Sequence, residues 1–159
     1  MAINLTALAA ELNSDPIHYG YAALIVSGDD TGLAALLNKA RDGSDTFPAI
    51  SVRKTDISAD DLVEAIDIAD MATITIGAQT WLQMLAAVPV VQLLDAAGAN
   101  TRILSNLRAI FAAGTGTRSR INTLANRVGS RAEQLFGSGT VVADLDIAHA
   151  LRPVQAAKA

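Results

Sequence analysis

The sequence contains no cysteine, only two histidines and few aromatic residues. The absence of cysteine excludes a disulfide-stapled scaffold, a thiol nucleophile, an iron–sulfur cluster and any zinc site built on thiolates. Aromatic residues make up only 4% of the chain, so the core has to consist mostly of Ala, Leu, Ile and Val. Such side chains suit close packing between helices better than a broad twisted sheet. We therefore predict a mainly α fold.

The length of 159 residues and the hydrophobic content of 51% are sufficient for one buried core without metals or disulfides. We predict a compact single-domain multi-helix bundle with short irregular or extended segments, formed by residues 1–153. A cluster of Gly, Ser, Asp and Pro predicts a flexible loop at about 41–58, which includes a short extended piece. The last residues, 154–159, are predicted to form a loose tail.

Capping residues predict several helix ends. The first helix is predicted from about Leu5 to Asn13, and Asp15-Pro16 follows it. Ser58 and Asp61 resemble a capping arrangement, Ser130 with Glu133 matches a capping box, and Asp144 is predicted to cap the last helix.

The longest uncharged stretch runs from Met71 to Leu94. It is long enough to cross a bilayer, but its Thr and Gln residues and Pro89 argue against a membrane span. We predict instead a buried central helix that begins around Gln79, with a short strand at Thr73–Ile76 as an alternative for the residues before it. Residues Met1–Leu12 lack the pattern of a secretory signal, so we expect a protein made and kept in a cytoplasm.

Charge is divided unevenly along the chain, whose net charge is −4. Residues 1–95 hold thirteen acids and four bases, whereas residues 96–132 hold six arginines and no acid. Arginine suits bidentate contacts with carboxylates and phosphates. We predict that these arginines form an interface with carboxylates of a neighbouring copy, although pairing within the chain explains them equally well. DNA contact is less favoured, because the chain is acidic and poor in aromatic residues. The interface candidates are Arg102, Arg108, Arg118, Arg120, Arg127 and Arg131.

No pattern in the sequence predicts a catalytic, cofactor-binding or metal site. Gly114–Arg120 resembles a phosphate-binding loop, but it lacks the Gly-Lys-Ser/Thr ending and a preceding strand, so one helix ending and another beginning explains it better. His18 and His149 have no convincing partner for metal binding. The acidic residues between Asp60 and Asp70 could attract divalent cations, but a solvated face or a partner surface for the arginines is favoured.

Short motifs follow one another along most of the chain. They are Asp15-Pro16 with Gly20-Tyr21, Leu36-Leu37-Asn38, Asn106-Leu107-Arg108-Ala109-Ile110-Phe111 followed by a Gly-Thr-rich turn and Arg118, and Ser130-Arg131-Ala132-Glu133 with Leu135-Phe136-Gly137. In this ordered set the chain resembles small proteins encoded among the virion assembly genes of tailed double-stranded DNA phages and prophages. The resemblance implies a structural virion component, without a known catalytic activity.

Charge pattern and resemblance together predict a non-enzymatic, oligomeric subunit at the head–tail junction or tail of a phage. The expected partners are further copies in a ring and other virion proteins, such as portal, neck, tail or capsid proteins, with no membrane and no cofactor. The expected location is the virion, assembled in the cytoplasm of the bacterial host. The alternatives are a capsid-associated cement or minor head protein and a small helical DNA-binding or regulatory module.

Overall fold

The computed structural model describes residues 2–95 and 98–152. Its contacts group the chain into two compact units, one formed by residues 1–52 with 128–159 and the other by residues 53–127. The single domain predicted for residues 1–153 stays a prediction. The predicted tail at 154–159 lies outside the described residues.

The described residues form ten helices and four strands of three residues each, which confirms the mainly α prediction. β1 pairs with β4, and β2 pairs with β3. The strands are β1 (Ser51–Arg53), β2 (Asp56–Ser58), β3 (Val90–Gln92) and β4 (Asn126–Val128). The helices are α1 (Leu5–Ser14), α2 (Tyr21–Ser27), α3 (Asp30–Asn38), α4 (Ala59–Ala65), α5 (Ile68–Met71), α6 (Ile76–Ala86), α7 (Arg102–Ile110), α8 (Gly116–Leu124), α9 (Arg131–Phe136) and α10 (Asp144–Leu151).

Two predicted caps are confirmed and one is wrong. The Ser58 hydroxyl accepts a hydrogen bond from the Asp61 N–H at 3.0 Å at the start of α4. Ser130 and Glu133 form the reciprocal capping box of α9. Asp144, in contrast, is the first helical residue of α10, and the cap position is Ala143. The carboxylate of Asp146 accepts the Ala143 N–H at 2.9 Å, so an acid inside the helix satisfies this donor.

The predicted central helix is formed, but the prediction that it is buried is wrong. α6 begins at Ile76, three residues before the predicted start, because the Thr75 hydroxyl accepts the Ala78 N–H as an N-cap. Leu82 is the one fully buried residue of this helix. The predicted alternative strand at Thr73–Ile76 is not formed, since Thr75 caps the helix that starts at Ile76. The helix therefore contributes one apolar side to the core and leaves the other side in solvent.

The first unit, residues 1–52 with 128–159, has its own apolar core. α1 packs on α10, which packs on α3. The Asn38 side chain fastens the end of α3 to Val142, because it donates to the Val142 carbonyl at 2.7 Å and accepts the Val142 N–H at 2.9 Å. The buried core residues include Leu8, Leu12, Tyr19, Tyr21, Leu33, Leu37, Ala132, Phe136, Val142 and Ile147.

The second unit, residues 53–127, is built around α4, which packs on α6 and α8. β2 and β3 form an antiparallel pair in which Ile57 lies opposite Val91. The predicted extended piece within the loop of 41–58 is confirmed as β1 and β2. The buried core residues include Ile57, Leu62, Leu82, Val91, Leu93, Leu104, Leu107, Phe111 and Ile121.

Candidate functional site

Among the six candidate arginines, Arg131 is used inside its own unit. Its Nε and one terminal nitrogen donate to the two carboxylate oxygens of Glu11, each at 2.7 Å. The side chains of Glu11 and Arg131 are 5% and 14% exposed. The hydrogen bond to Glu11 raises the pKa of the Arg131 guanidinium. This bidentate pair fastens α9 to α1.

Arg118 and Arg108 also make contacts within the second unit. One terminal nitrogen of Arg118 donates to the backbone carbonyls of Arg108 and Phe111, the latter at 3.0 Å. These carbonyls lie at the C-terminal end of α7, where a cation is favoured. The guanidinium of Arg108 donates to the Asn122 side-chain oxygen at 3.2 and 3.3 Å, which links α7 to α8.

The remaining candidates, Arg102, Arg120 and Arg127, are exposed. Arg120 makes a surface ion pair with Asp67 at 3.4 Å, with the two side chains 54% and 37% exposed. A pair of this kind contributes little stability. These three side chains are therefore the candidates that a neighbouring molecule can reach.

The predicted acidic face divides in a similar way. Asp60, Asp61 and Glu64 lie on the exposed side of α4. Asp67 and Asp70 instead hold the start of α8 through Thr117, which is fully buried. The Asp67 N–H donates to the Thr117 hydroxyl at 2.7 Å, and the Thr117 N–H donates to the Asp70 carboxylate at 2.9 Å.

The turn at Gly114–Arg120 thus has an internal anion. The Asp70 carboxylate occupies the N-terminal end of α8, where a phosphate would bind in a phosphate loop. Hydrogen bonding to Thr117 lowers the pKa of the Asp70 carboxyl. The Asp70 carboxylate of the same chain therefore occupies the place at the start of α8 that a phosphate group would take.

Neither histidine lies in a metal-binding arrangement. No group of three or more His, Asp or Glu residues within the described ranges could hold a metal ion. His18 is exposed and has a positive φ of 57° in the turn between α1 and α2. In the same turn, the Asp15 carboxylate accepts the N–H groups of Tyr19, Gly20 and Tyr21 at 2.7, 2.8 and 3.2 Å. The Asp15 motif therefore has a structural role at the start of α2.

A buried cation was missed at the sequence level. The side chain of Arg41 is 1% exposed, and its guanidinium carbon lies 4.9 Å from the ring centre of Tyr19 and 4.5 Å from that of Phe47. It pairs with Asp45, which also binds Lys39 at 3.2 Å. These contacts hold the start of the 41–58 segment in place within the first unit. An arginine in a Gly- and Ser-rich stretch gives no sequence signal of burial.

Two surface clefts of about 400 and 410 Å³ lie on the first unit. The first lies between the starts of α3 and α10, and its lining includes Asp29, Asp30 and Asp144; Asp30 is ion-paired with Arg152. In the second, the Ser44 hydroxyl donates to Asp42 at 2.6 Å. Asp42 also accepts the Ser44 N–H at 2.9 Å, so the two residues form a local turn contact.

Comparison with known proteins gave no relative: no family model, no curated protein and no solved structure matches this chain. Within the described residues, no helix is both long enough and apolar enough to span a bilayer.

Proposed function

We propose that this chain is a non-enzymatic structural subunit of a tailed bacteriophage virion. It forms a homo-oligomeric ring at the head–tail junction or tail and contacts other virion proteins there. The observation that carries the proposal is that different helices of the second unit expose charges of opposite sign. Arg102 on α7 and Arg120 on α8 are exposed bases, whereas Asp60 and Glu64 are exposed acids on α4. The resemblance of the ordered motifs to small phage proteins supports the assignment to a phage virion.

Exposed charges of both signs on one subunit favour a head-to-tail contact. Such a contact uses different surfaces of the two copies, and it closes into a ring when the rotation between copies allows. Arginine is enriched at protein interfaces, because its planar guanidinium binds carboxylates in a bidentate way. Individual exposed pairs contribute about 0–1 kcal/mol, so several pairs have to act together with apolar contacts.

A capsid-associated cement or minor head protein is the first alternative, and it would use the same surfaces with a different partner. A DNA-binding module is the second alternative, favoured only by the exposed arginines. The two classes differ in their response to DNA, because phosphate contacts give binding that weakens steeply with salt.

The test combines size-exclusion chromatography with light scattering at low and high salt, with and without duplex DNA. We expect a species larger than a dimer at low salt without DNA, and smaller species at high salt because salt screens exposed charge. A monomer that responds only to DNA would support the DNA-binding alternative. A monomer under all conditions would contradict self-assembly.

Two charge reversals make the test specific. Arg102→Glu/Arg120→Glu places acids opposite the acidic surface of the next copy, and Asp60→Lys/Glu64→Lys places bases opposite the arginines. Each variant alone should fail to assemble. An equal mixture should assemble again, because the reversed surface of one variant complements the reversed surface of the other.

The matched control is Arg102→Lys/Arg120→Lys, which keeps the charge and should retain salt-sensitive assembly. Thermal unfolding of every variant checks that the subunits stay folded. If both reversed variants assemble alone, or if the mixture stays monomeric, the head-to-tail contact is not formed by these surfaces.

A further inference from the structure

Two half-buried arginines of the second unit, Arg53 and Arg108, are bound by neutral side chains. Nη1 of Arg53 donates to the side-chain oxygen of Asn100 at 3.4 Å. Nε and Nη2 of Arg108 donate to the side-chain oxygen of Asn122 at 3.3 and 3.2 Å. Within the part of the chain that the structure describes, neither arginine forms an ion pair with an acid. The two guanidinium charges are therefore held in place by amides that do not neutralise them.

Both arginines lie at the C-terminal end of α8. Asn122, which binds the Arg108 guanidinium, is in the last turn of this helix. Lys54, the residue after Arg53, donates its backbone N–H at 3.0 Å to the carbonyl of Ala125, the residue that follows α8. The C-terminal end of a helix carries a partial charge of about −0.5. Because the guanidiniums bring two full positive charges, most of their charge remains unbalanced there.

This arrangement costs stability. Burial and the positive charge of Arg108 both lower the pKa of the Arg53 guanidinium. The Nε–H of Arg53 is buried and has no acceptor among residues 2–95 and 98–152. A buried donor without an acceptor is unfavourable, and so is a partly buried charge without a counter-ion. A local arrangement that costs stability without a structural gain is characteristic of a functional site.

We propose that Arg53 and Arg108 together bind one small, doubly charged oxyanion, a phosphate dianion. The two negative charges of a phosphate match the two guanidinium charges, whereas a carboxylate supplies only one. Guanidinium N–H groups bind phosphate oxygens in a bidentate way, and the Nε–H of Arg53 is a donor without an acceptor in the chain. Asn100 and Asn122 hold the two guanidiniums without neutralising them. This site goes beyond the proposed function, since it requires no contact between copies.

The test is isothermal titration calorimetry of the full chain with inorganic phosphate at about pH 8, with the ionic strength held constant by chloride. We expect one phosphate to bind per chain. The affinity should fall at least about tenfold in Arg53→Gln and in Arg108→Gln, because each variant removes one of the two charges. The matched control is Arg152→Gln, which removes a 55% exposed arginine of the first unit and should bind phosphate like the original chain. No binding by the original chain, or equal affinity in all four proteins, would overturn the proposal.

Three further ligands test the class of anion. Glycerol phosphate should bind as inorganic phosphate does if the site takes the phosphate group of a larger molecule, and more weakly if it takes free phosphate. Acetate should bind at least about tenfold more weakly than phosphate, because it carries one charge; equal binding would overturn the dianion site. Binding of duplex DNA that is lost in Arg53→Gln, together with no binding of inorganic phosphate, would assign the two arginines to nucleic acid and overturn the proposal.

Thermal unfolding separates the anion site from a purely structural role of Arg53. Without phosphate and at low salt, Arg53→Gln should unfold at the same temperature as the original chain or at a higher one, because the substitution removes the repulsion by Arg108. Added phosphate should raise the midpoint of the original chain, since a ligand that binds the folded state stabilises it, and should leave that of the variant unchanged. A lower midpoint of Arg53→Gln without phosphate would show that the fold needs this charge and would contradict the anion site.

Discussion

Arg131→Met should destabilise the first unit strongly without directly affecting an interface between copies. The substitution leaves the Glu11 carboxylate, which is 5% exposed, without the guanidinium that binds both of its oxygens. Removal of one partner of a buried ion pair costs about 3–5 kcal/mol, because the remaining charge keeps its desolvation penalty and loses its compensation. This is a large fraction of the free energy of unfolding of about 5–15 kcal/mol that is typical of a domain.

The double variant Glu11→Leu/Arg131→Met separates the cost of an unpaired charge from the net contribution of the pair. Replacement of both partners by apolar residues is often neutral or stabilising, so most of the lost stability should return. Urea unfolding of the original chain, the two single variants and the double variant gives the coupling between the residues. In thermal unfolding, the single variant Arg131→Met should lower the midpoint by about 6–20 °C, at about 2–4 °C per kcal/mol.

The same variants decide between two roles of Arg131, which was predicted from the sequence as an interface residue. If Arg131→Met leaves the unfolding free energy unchanged and abolishes assembly, the guanidinium serves a neighbouring copy and the internal pair with Glu11 is not its main role. Loss of stability, with assembly retained at temperatures where the variant is folded, is the result that the internal pair requires.

Three further changes test local features. Arg118→Ala should lower the unfolding free energy by about 1–3 kcal/mol in urea titration, because carbonyls at the end of α7 lose a charged donor; unchanged stability would contradict this cap. Gly129→Ala should lower the free energy of unfolding by about 1–3 kcal/mol in the same assay, because the added carbon would lie 2.5 Å from the Val52 side chain. The control Gly77→Ala places its added carbon in open space and should not destabilise the protein. The pKa of the Asp70 carboxyl is lowered in the folded state, so its contribution to the free energy of unfolding is present above its unfolded pKa of about 3.9 and is lost as the pH falls through the folded pKa. Asp70→Asn should therefore lose less stability than the original chain between pH 5 and pH 2. An acid unfolding profile that does not change in the variant would contradict the Asp70 contact.

The features predicted correctly from the sequence are the local ones. The caps at Ser58 and at Ser130 with Glu133 join residues three positions apart, so a short sequence pattern contains all of their parts. The mainly α fold class was predicted correctly because it depends on the helix preferences of many short segments. Asp144 was misplaced by one residue, because Asp146 supplies the carboxylate that satisfies the cap position.

The contacts that define the candidate site are not local. Arg131 and Glu11 are 120 residues apart, and Thr117 and Asp70 are 47 residues apart. No periodicity or spacing within one segment identifies such partners, and without aligned relatives there is no covariation to find them. The burial of Arg41 also depends in part on Tyr19, which comes from a different part of the chain.

The net charge of a segment is a poor measure of the charge that a partner meets. Residues 96–132 carry six arginines, but Arg131 is neutralised by a buried carboxylate and Arg118 and Arg108 bind groups of their own unit. At most three of the six guanidiniums are left exposed towards a partner. For DNA, the logarithmic salt dependence would have a slope of about −2.7 with three phosphate contacts, against about −5.4 with six. The fold thus lowers the salt dependence expected for DNA binding to at most half of what the arginine count of the sequence predicts.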